Sequence, residues 1–314
     1  MSKNDIFIGA VIKKFRKQLK LSQAELAEGI CNKDHLCAIE NGKNDPNNHI
    51  LEHLSRRLNV NLLEYRYDIS LHGSLEIHEM IVNLNSFLYS DDTEGLREYI
   101  SQCENITEFK SGEPLLLLLY CKASVAFDDE CFDDTIQHCH EAFRAMNLPL
   151  DFNEQIIAEM SNVGILIIKL YGVTLHTLER HYEAYAVYMH LYNQFHFVLT
   201  SPVYDLNKVL HFQHVNFIIV SYNLALLNLE WEKYDEADQL IEDALNLINK
   251  CKSIDMFIHL LTCRANIYYR TDRIEEAQQI INDIPVILKY IGEKEPYEYF
   301  INDIETHFPK LKLR

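Results

Sequence analysis

The chain has 314 residues, of which 48% are hydrophobic and 24% charged, with nine glycines and a formal net charge of −18. That composition supports a large core and excludes global disorder, and the length allows two domains. Taken whole, the acidic balance argues against nucleic acid as a partner, but residues 1–66 carry 11 Lys and Arg against 8 Asp and Glu, and the remainder 18 against 39.

No run is long and apolar enough to span a bilayer: Leu115–Leu119 is followed at once by Tyr120, Cys121 and Lys122. No basic leader precedes an apolar segment, so a cytoplasmic protein without a signal peptide is expected. The eight cysteines are scattered and form no CxxC pair. Reduced, buried thiols are therefore expected rather than disulfides or a zinc site.

The spacing of Ile8, Val11, Ile12, Phe15 and Leu19 predicts a first helix over Asn4–Leu19. Its basic residues include Lys17 and Lys20, which either meet phosphates or form a solvated face. Two short helices follow. Ser22 can cap the first, with Glu25 three residues on completing a capping box, and Leu26 and Ile30 forming its apolar stripe. Asn32 can cap the second, in which Leu36 and Ile39 point inward. Asn41-Gly42 ends it, because glycine accepts the left-handed conformation. This spacing makes a helix-turn-helix, whose second helix can lie in the major groove of DNA. Near its N-terminus, Lys33 can donate to guanine acceptors, and Asn32 and His35 can donate or accept. The alternative for His35 is a plain surface histidine. Asp34 would be repelled by phosphate, so it caps the helix or reads a cytosine amine. Lys43, just past the helix, is a phosphate candidate, and Arg56 and Arg57 are expected on the solvated side of a helix over Asn48–Leu58.

Arg16, Leu21-Ser22-Gln23, Glu25-Leu26-Ala27, Ile39-Glu40, Gly42 and Pro46 resemble the Cro/phage-repressor type of helix-turn-helix over Ile8–Tyr65. Ile30-Cys31 replaces the usual Gly-Val before the second helix, a variant similar to the PlcR-type regulators. The resemblance implies an internal ion pair between Arg16 and Glu40, and a phosphate or base contact from Gln23.

Tyr65–Gly73 contains a short linker, assigned to residues 67–73 between a head of 1–66 and a body of 74–314. From Ser74 onward the pattern is almost entirely helical. Amphipathic segments are predicted over Leu75–Leu88, Glu94–Cys103, Pro114–Phe127, Phe132–Met146, Asn153–Tyr171, His176–Phe197, Leu206–Leu229, Tyr234–Lys250, Ile254–Arg270, Ile274–Ile291 and Tyr297–Phe308. The fold class is therefore all-α. Ala225, Ala237 and Ala244 lie 12 and 7 apart, and Ala265, Ala277, Ile284 and Ala123, Thr135, Ala142 keep the same intervals. Small residues at these points let two helices of a hairpin approach closely, which is the tetratricopeptide pattern of an α-solenoid.

Such an array has a concave face that receives extended peptides. Asn162 and Asn223, each two before a small residue, and Asn266, one after Ala265, are candidates to clamp a peptide bond, since an amide donates and accepts at once; otherwise they tie neighbouring helices together. Tyr222, Tyr269, Tyr188 and Tyr192 either line apolar pockets or belong to the core. His138, Cys139 and His140 look metal-like, but successive helix residues point about 100° apart and cannot converge on one ion. His176, His181, His190, His196, His211 and His214 are unusually dense; they sense pH, line an anionic-ligand site, or are scattered over the surface. No metal and no cofactor is expected. No glycine-rich phosphate loop, nucleophile elbow or carboxylate dyad stands out, so the chain is not read as an enzyme.

Together, head and body resemble the Rap/NprR/PlcR/PrgX group of Gram-positive quorum-sensing receptors. The resemblance implies a homodimeric transcription regulator on a palindromic operator, controlled by a short signalling peptide in the concave face. The alternative is a DNA-tethered scaffold whose repeat body docks a partner protein. A phosphatase of the Rap type fits poorly, because those lack a DNA-binding head.

Overall fold

A computed structural model of the chain describes residues 3–63, 65–67, 75–90, 92–149, 161–200, 211–251 and 256–291. Every regular element among them is helical, and the chain divides into two compact units, Met1–Asp134 and Thr135–Arg314.

In the first unit, α1 (Lys3–Gln18), α2 (Gln23–Ala27), α3 (Lys33–Glu40) and α4 (Asn48–Leu58) form the head, with further helical residues at 62–63 and 65–67. The capping box is present: Glu25 N–H donates to Ser22 Oγ, and Ser22 N–H to the Glu25 carboxylate. Asn32 caps α3 by accepting from His35 N–H at 2.6 Å, and Asn47 caps α4 in the same way. α3 ends as its sequence predicts, with Gly42 left-handed at φ 68°. These caps satisfy backbone donors that short helices would otherwise leave orphaned. The core is a cluster of Ile8, Val11, Ile12, Leu26, Ala27, Leu36, Ile39, Leu51, Leu54, Leu58 and Leu62.

Two contacts set α3 against α1. At Gly9 the backbones all but touch: a Cβ there would stand 2.0 Å from the carbonyl oxygen of Ile39. About two turns of α1 further on, the expected ion pair is found. Arg16 Nε and Nη2 donate to the two carboxylate oxygens of Glu40 at 2.6 and 2.9 Å, and Nη1 donates to the carbonyl of Leu21 at 2.8 Å. Glu40 is only 4% exposed. Burial alone would push its carboxyl up, but the hydrogen bonds from Arg16 and Gln23, with the charges of Arg16 and Lys13, outweigh it and hold the group below the usual carboxylate range.

The same unit continues with α5 (Leu75–Tyr89), α6 (Thr93–Cys103), a 3₁₀ turn over Thr107–Lys110 and α7 (Gly112–Asp128). The head contacts α5 directly: Lys14 pairs with Glu79 at 2.5 Å, and the Tyr65 ring packs between Phe15 and His78. That is why the contact division does not fall at residues 67–73, of which only Tyr67 is described.

α8 (Phe132–Ala145) straddles the division. The second unit goes on with α9 (Asn162–Thr177), α10 (His181–Thr200), α11 (His211–Glu230), α12 (Tyr234–Cys251), α13 (Phe257–Arg270) and α14 (Ile274–Ile291), and from α9 onward each helix packs on the next. All nine residues of the three spaced triplets are fully buried. The structure adds a fourth copy, Gly172, Ala184 and Leu191, at the same intervals of 12 and 7 and also buried. The sequence pattern breaks between Tyr171 and His176, yet the helix runs through Gly172 to Thr177. Gly172 is not a terminator there: a Cβ would meet the Tyr188 ring at 2.7 Å, so the missing side chain makes room for a buried aromatic of the next helix. The real turns come seven residues after each small residue. Glu130, Glu179, Glu232 and Asp272 are left-handed, with φ between 57° and 59°. The N–H of the next residue closes on the carbonyl five back, at 2.8–2.9 Å, in the Schellman manner. The predicted helix Tyr297–Phe308, and the beginnings of those predicted from Asn153, Leu206 and Ile254, lie outside the described residues.

Among the described cysteines none is bonded to another, and Cys103, Cys121, Cys139 and Cys263 are buried. Burial pushes the last three thiols up to about 12, as reduced core residues require.

Two outcomes follow for the head. Glu40→Ala strands the Arg16 guanidinium at a nearly closed site and should cost about 3–5 kcal/mol of unfolding free energy. Because the folded carboxyl titrates below its unfolded value of 4.5, its contribution is present at neutral pH and is lost as pH falls through the folded value. Acid titration of head unfolding, followed by circular dichroism, should show this loss in the native chain and not in the variant. Gly9→Ala forces α1 off α3 and should cost about 2–3 kcal/mol, read as a lowered melting temperature of the head.

Candidate functional site

The exposed first turn of α3 carries Lys33 and Asp34, with the capping Asn32 just before it. His35 is half-buried, and its Nδ1 lies 3.2 Å from the amide nitrogen of Asn44. Asn41 turns back onto the carbonyl of Cys37. Lys17 near the end of α1 and Lys43 after α3 are both exposed, and the backbone N–H of Lys43 is fixed on the carbonyl of Ala38 at 2.8 Å. The N-terminus of α3 thus combines a positive helix end, a lysine and amide and imidazole groups on one solvent-facing turn.

Gln23 is placed otherwise. Its Nε2 donates to Glu40 at 2.8 Å, so one N–H of this side chain is taken up by the Arg16–Glu40 pair, and the amide keeps a second N–H and its oxygen. Arg56 is solvated as expected, but Arg57 is not idle. Its Nη1 reaches the carbonyls of Glu25, Leu26 and Glu28 at 3.3, 3.0 and 2.5 Å. A guanidinium at the C-terminal end of α2 satisfies carbonyls that a five-residue helix leaves open.

In the second unit the turn register fixes which residues share a face. Tyr222 lies three before its small residue Ala225, and Lys169 lies three before Gly172. Asn266 and Tyr269 lie one and four after Ala265. Places −3, +1 and +4 fall on one face of a helix. Asn223 sits beside this face, at −2. Asn162 does not share its register: Gly172, not Gly164, is the counterpart of Ala225, and Asn162 is an exposed residue in the first turn of α9. Asn223 is half-buried, Asn266 accepts from Arg270 Nε at 3.0 Å, and the Tyr222 ring packs on His259. Of the other tyrosines, Tyr188 is core, and Tyr192 stacks on Phe217 and donates to Asp243.

Lys169 was missed from the sequence, although a lone lysine in the apolar run NVGILIIKLYGV is its signal. Its Nζ donates to Asn216 Oδ1 on α11 at 3.0 Å, and Asn216 is itself 2% exposed. Burial pushes the ammonium down to about 8. Lys169 is thus a largely desolvated cation whose hydrogen bond goes to a neutral amide.

The histidines separate into distinct settings. His190 and His214 are buried, burial pushing His190 down, and His196 stacks on Tyr192. His176 and His181 share one carboxylate, that of Glu230. No helix among the described residues is long and apolar enough to cross a membrane.

Residues 12–65 match the family model described as helix-turn-helix. No curated protein sequence matches the chain. Among solved structures, PlcR of Bacillus thuringiensis in complex with the peptide PapR7 and DNA is 15% identical, covers 95% of this chain and 99% of its own, and superposes with a TM-score of 0.64. The apo form of the same PlcR is 14% identical, with coverages of 95% and 98% and a TM-score of 0.54. The SHP pheromone receptor Rgg2 of Streptococcus dysgalactiae is 11% identical, with coverages of 95% and 99% and a TM-score of 0.54. Residues 12–65 are thus a helix-turn-helix domain, carried on a chain whose fold is that of PlcR and Rgg2.

Proposed function

We propose that this chain is a sequence-specific DNA-binding transcriptional regulator, cytoplasmic and homodimeric, whose operator affinity is set by a short peptide bound on the face of its repeat body. The observation that carries the reading is the α3 N-terminus: Asn32, Lys33 and His35 stand on a helix that Arg16 and Glu40 lock in place. The PlcR match, a structure containing both peptide and DNA, supports it. We assign residues 1–66 to the DNA-binding head, 67–73 to the linker, and 74–314 to peptide binding and dimerisation. Lys33 and His35 read base edges, Asn32 and Gln23 assist, and Lys17 and Lys43 neutralise phosphates. The strongly acidic remainder keeps the body off the duplex. Two heads on a palindrome must match whole helical turns, so a ligand that prefers one dimer geometry changes operator affinity.

On the repeat face, Tyr222 and Tyr269 supply apolar contact, and Asn223 and Asn266 hold backbone amides, as Asn162 does at the start of α9. Lys169 takes a carboxylate of the peptide. Binding then supplies a countercharge to an ammonium whose hydrogen bond, among the described residues, goes to a neutral amide.

Lys33→Ala combined with His35→Ala should abolish binding to promoter fragments from the gene's own neighbourhood, measured by fluorescence anisotropy at low salt, with body helicity unchanged. Undiminished binding would remove α3 from the interface. Lys169→Met should act in opposite directions on stability and binding. At pH 7 it should raise unfolding free energy by about 2–3 kcal/mol, since burial disfavours the ammonium by roughly 1.4 kcal/mol per unit of pKa. The penalty applies where lysine is charged in both states, below about 8, and fades as pH rises from there to the ordinary lysine value of 10.5; the gain should fade with it. The same variant should cost at least tenfold in affinity for peptides of under ten residues with a free carboxyl terminus, and little for their amidated partners. Equal loss for both forms would exclude Lys169 as the carboxylate site.

A further inference from the structure

We propose that His176, His181 and Glu230 form a binding site for a divalent cation of the zinc class. His176 stands in the last turn of α9, His181 opens α10, and Glu230 closes α11. Three helix ends therefore deliver three ligand-type side chains to one place. His176 Nε2 lies 3.2 Å from Glu230 Oε1, and His181 Nδ1 lies 2.7 Å from Glu230 Oε2. The imidazole planes meet edge to face at 5.3 Å, and the three donor atoms all lie within 4.8 Å of one another.

The separations suit a metal. Zinc holds nitrogen and oxygen ligands at about 2.0–2.2 Å, so tetrahedral donors stand about 3.3 Å apart. The observed spacings are near that value, and small side-chain rotations bring the closer pair to it. The chemistry also suits: two imidazoles and one carboxylate are a borderline donor set that selects zinc over magnesium or calcium. No lysine or arginine among the described residues pairs with Glu230. Nearby Arg180 is engaged by Glu183 through two bonds at 2.6–2.7 Å. The side chains of the two histidines and Glu230 are 24%, 28% and 41% exposed, which gives an ion a route in.

The turn that brings the histidines together is rigid. Glu179 is left-handed at φ 57°, and Arg180 N–H closes on the carbonyl of Leu175 at 2.9 Å. This holds the last turn of α9 and the first of α10 in fixed register. The cation would clip that hairpin to the end of the next helix, and three protein ligands leave a fourth position for water or for a donor brought by a ligand.

The test is titration of the full chain with Zn(II) by calorimetry, together with the visible spectrum of the Co(II)-loaded form. His49 and His53, an exposed pair on α4 with rings 4.5 Å apart, are replaced by alanine throughout, because two histidines one helical turn apart bind zinc weakly on their own. In that background one equivalent should bind below 10 μM, Co(II) should give intense tetrahedral bands, and Zn(II) should raise the melting temperature. Glu230→Gln and His181→Ala should each weaken binding at least tenfold and abolish the bands while far-ultraviolet dichroism stays unchanged. Failure of the background protein to bind, or affinity and spectrum unchanged in both variants, overturns the assignment.

Discussion

The bidentate contact between Arg16 and Glu40 is the interaction on which the rest of the head depends. It joins the end of α1 to the end of α3, and through the third guanidinium nitrogen it also fixes the loop at Leu21 that leads into α2. Three segments therefore converge on one guanidinium, and Gln23 adds a contact from α2 to the carboxylate it pairs with. A buried ion pair is often a poor source of stability, but this one fixes geometry. With Gly9 bringing the two helix backbones into contact on the same seam, α3 has one attitude relative to α1. A helix that reads bases needs its first turn held to a fraction of a base-pair step, and a short helix with an apolar underside alone would slide.

Much of this was written in the sequence. The capping residues Ser22, Asn32 and Gly42, the inward Leu36 and Ile39, and the Arg16–Glu40 pair all stand where pattern and resemblance put them, because each rests on local chemistry or on a motif. The repeat was legible through the intervals of 12 and 7, since close helix approach puts small residues at most of those points and buries all of them. The failures came where a residue acts through a distant partner. The predicted segments broke between Tyr171 and His176 because nothing local reveals that Tyr188 lies against Gly172. Asn162 was paired with Asn223 because each precedes a small residue by two, and only the turn register separates them. Arg57 is exposed as expected, but its partners, carbonyls some thirty residues earlier, were not legible. Lys169 sat in plain view inside an apolar run, but its meaning depends on Asn216, 47 residues on.

The body is anionic overall, and yet among its described residues Lys169 is a largely desolvated ammonium. A net negative body discourages acidic chains in general, and under the proposed reading this cation rewards a carboxylate at one position. Specificity of this kind arises from a repulsive background and one attractive exception. The hairpin turns support that face without glycine, each placing an acidic residue in the left-handed region. The scarcity of glycine in the sequence therefore does not mean a scarcity of tight turns.

The buried core of the head runs from Ile8 to Leu62. During synthesis that cluster is complete before the first repeat hairpin has emerged, so the head can fold on the ribosome without waiting for the body. The repeats follow as near-neighbour hairpins, each closing on residues just made. A truncated product released early would then carry a folded helix-turn-helix with none of the repeat hairpins behind it.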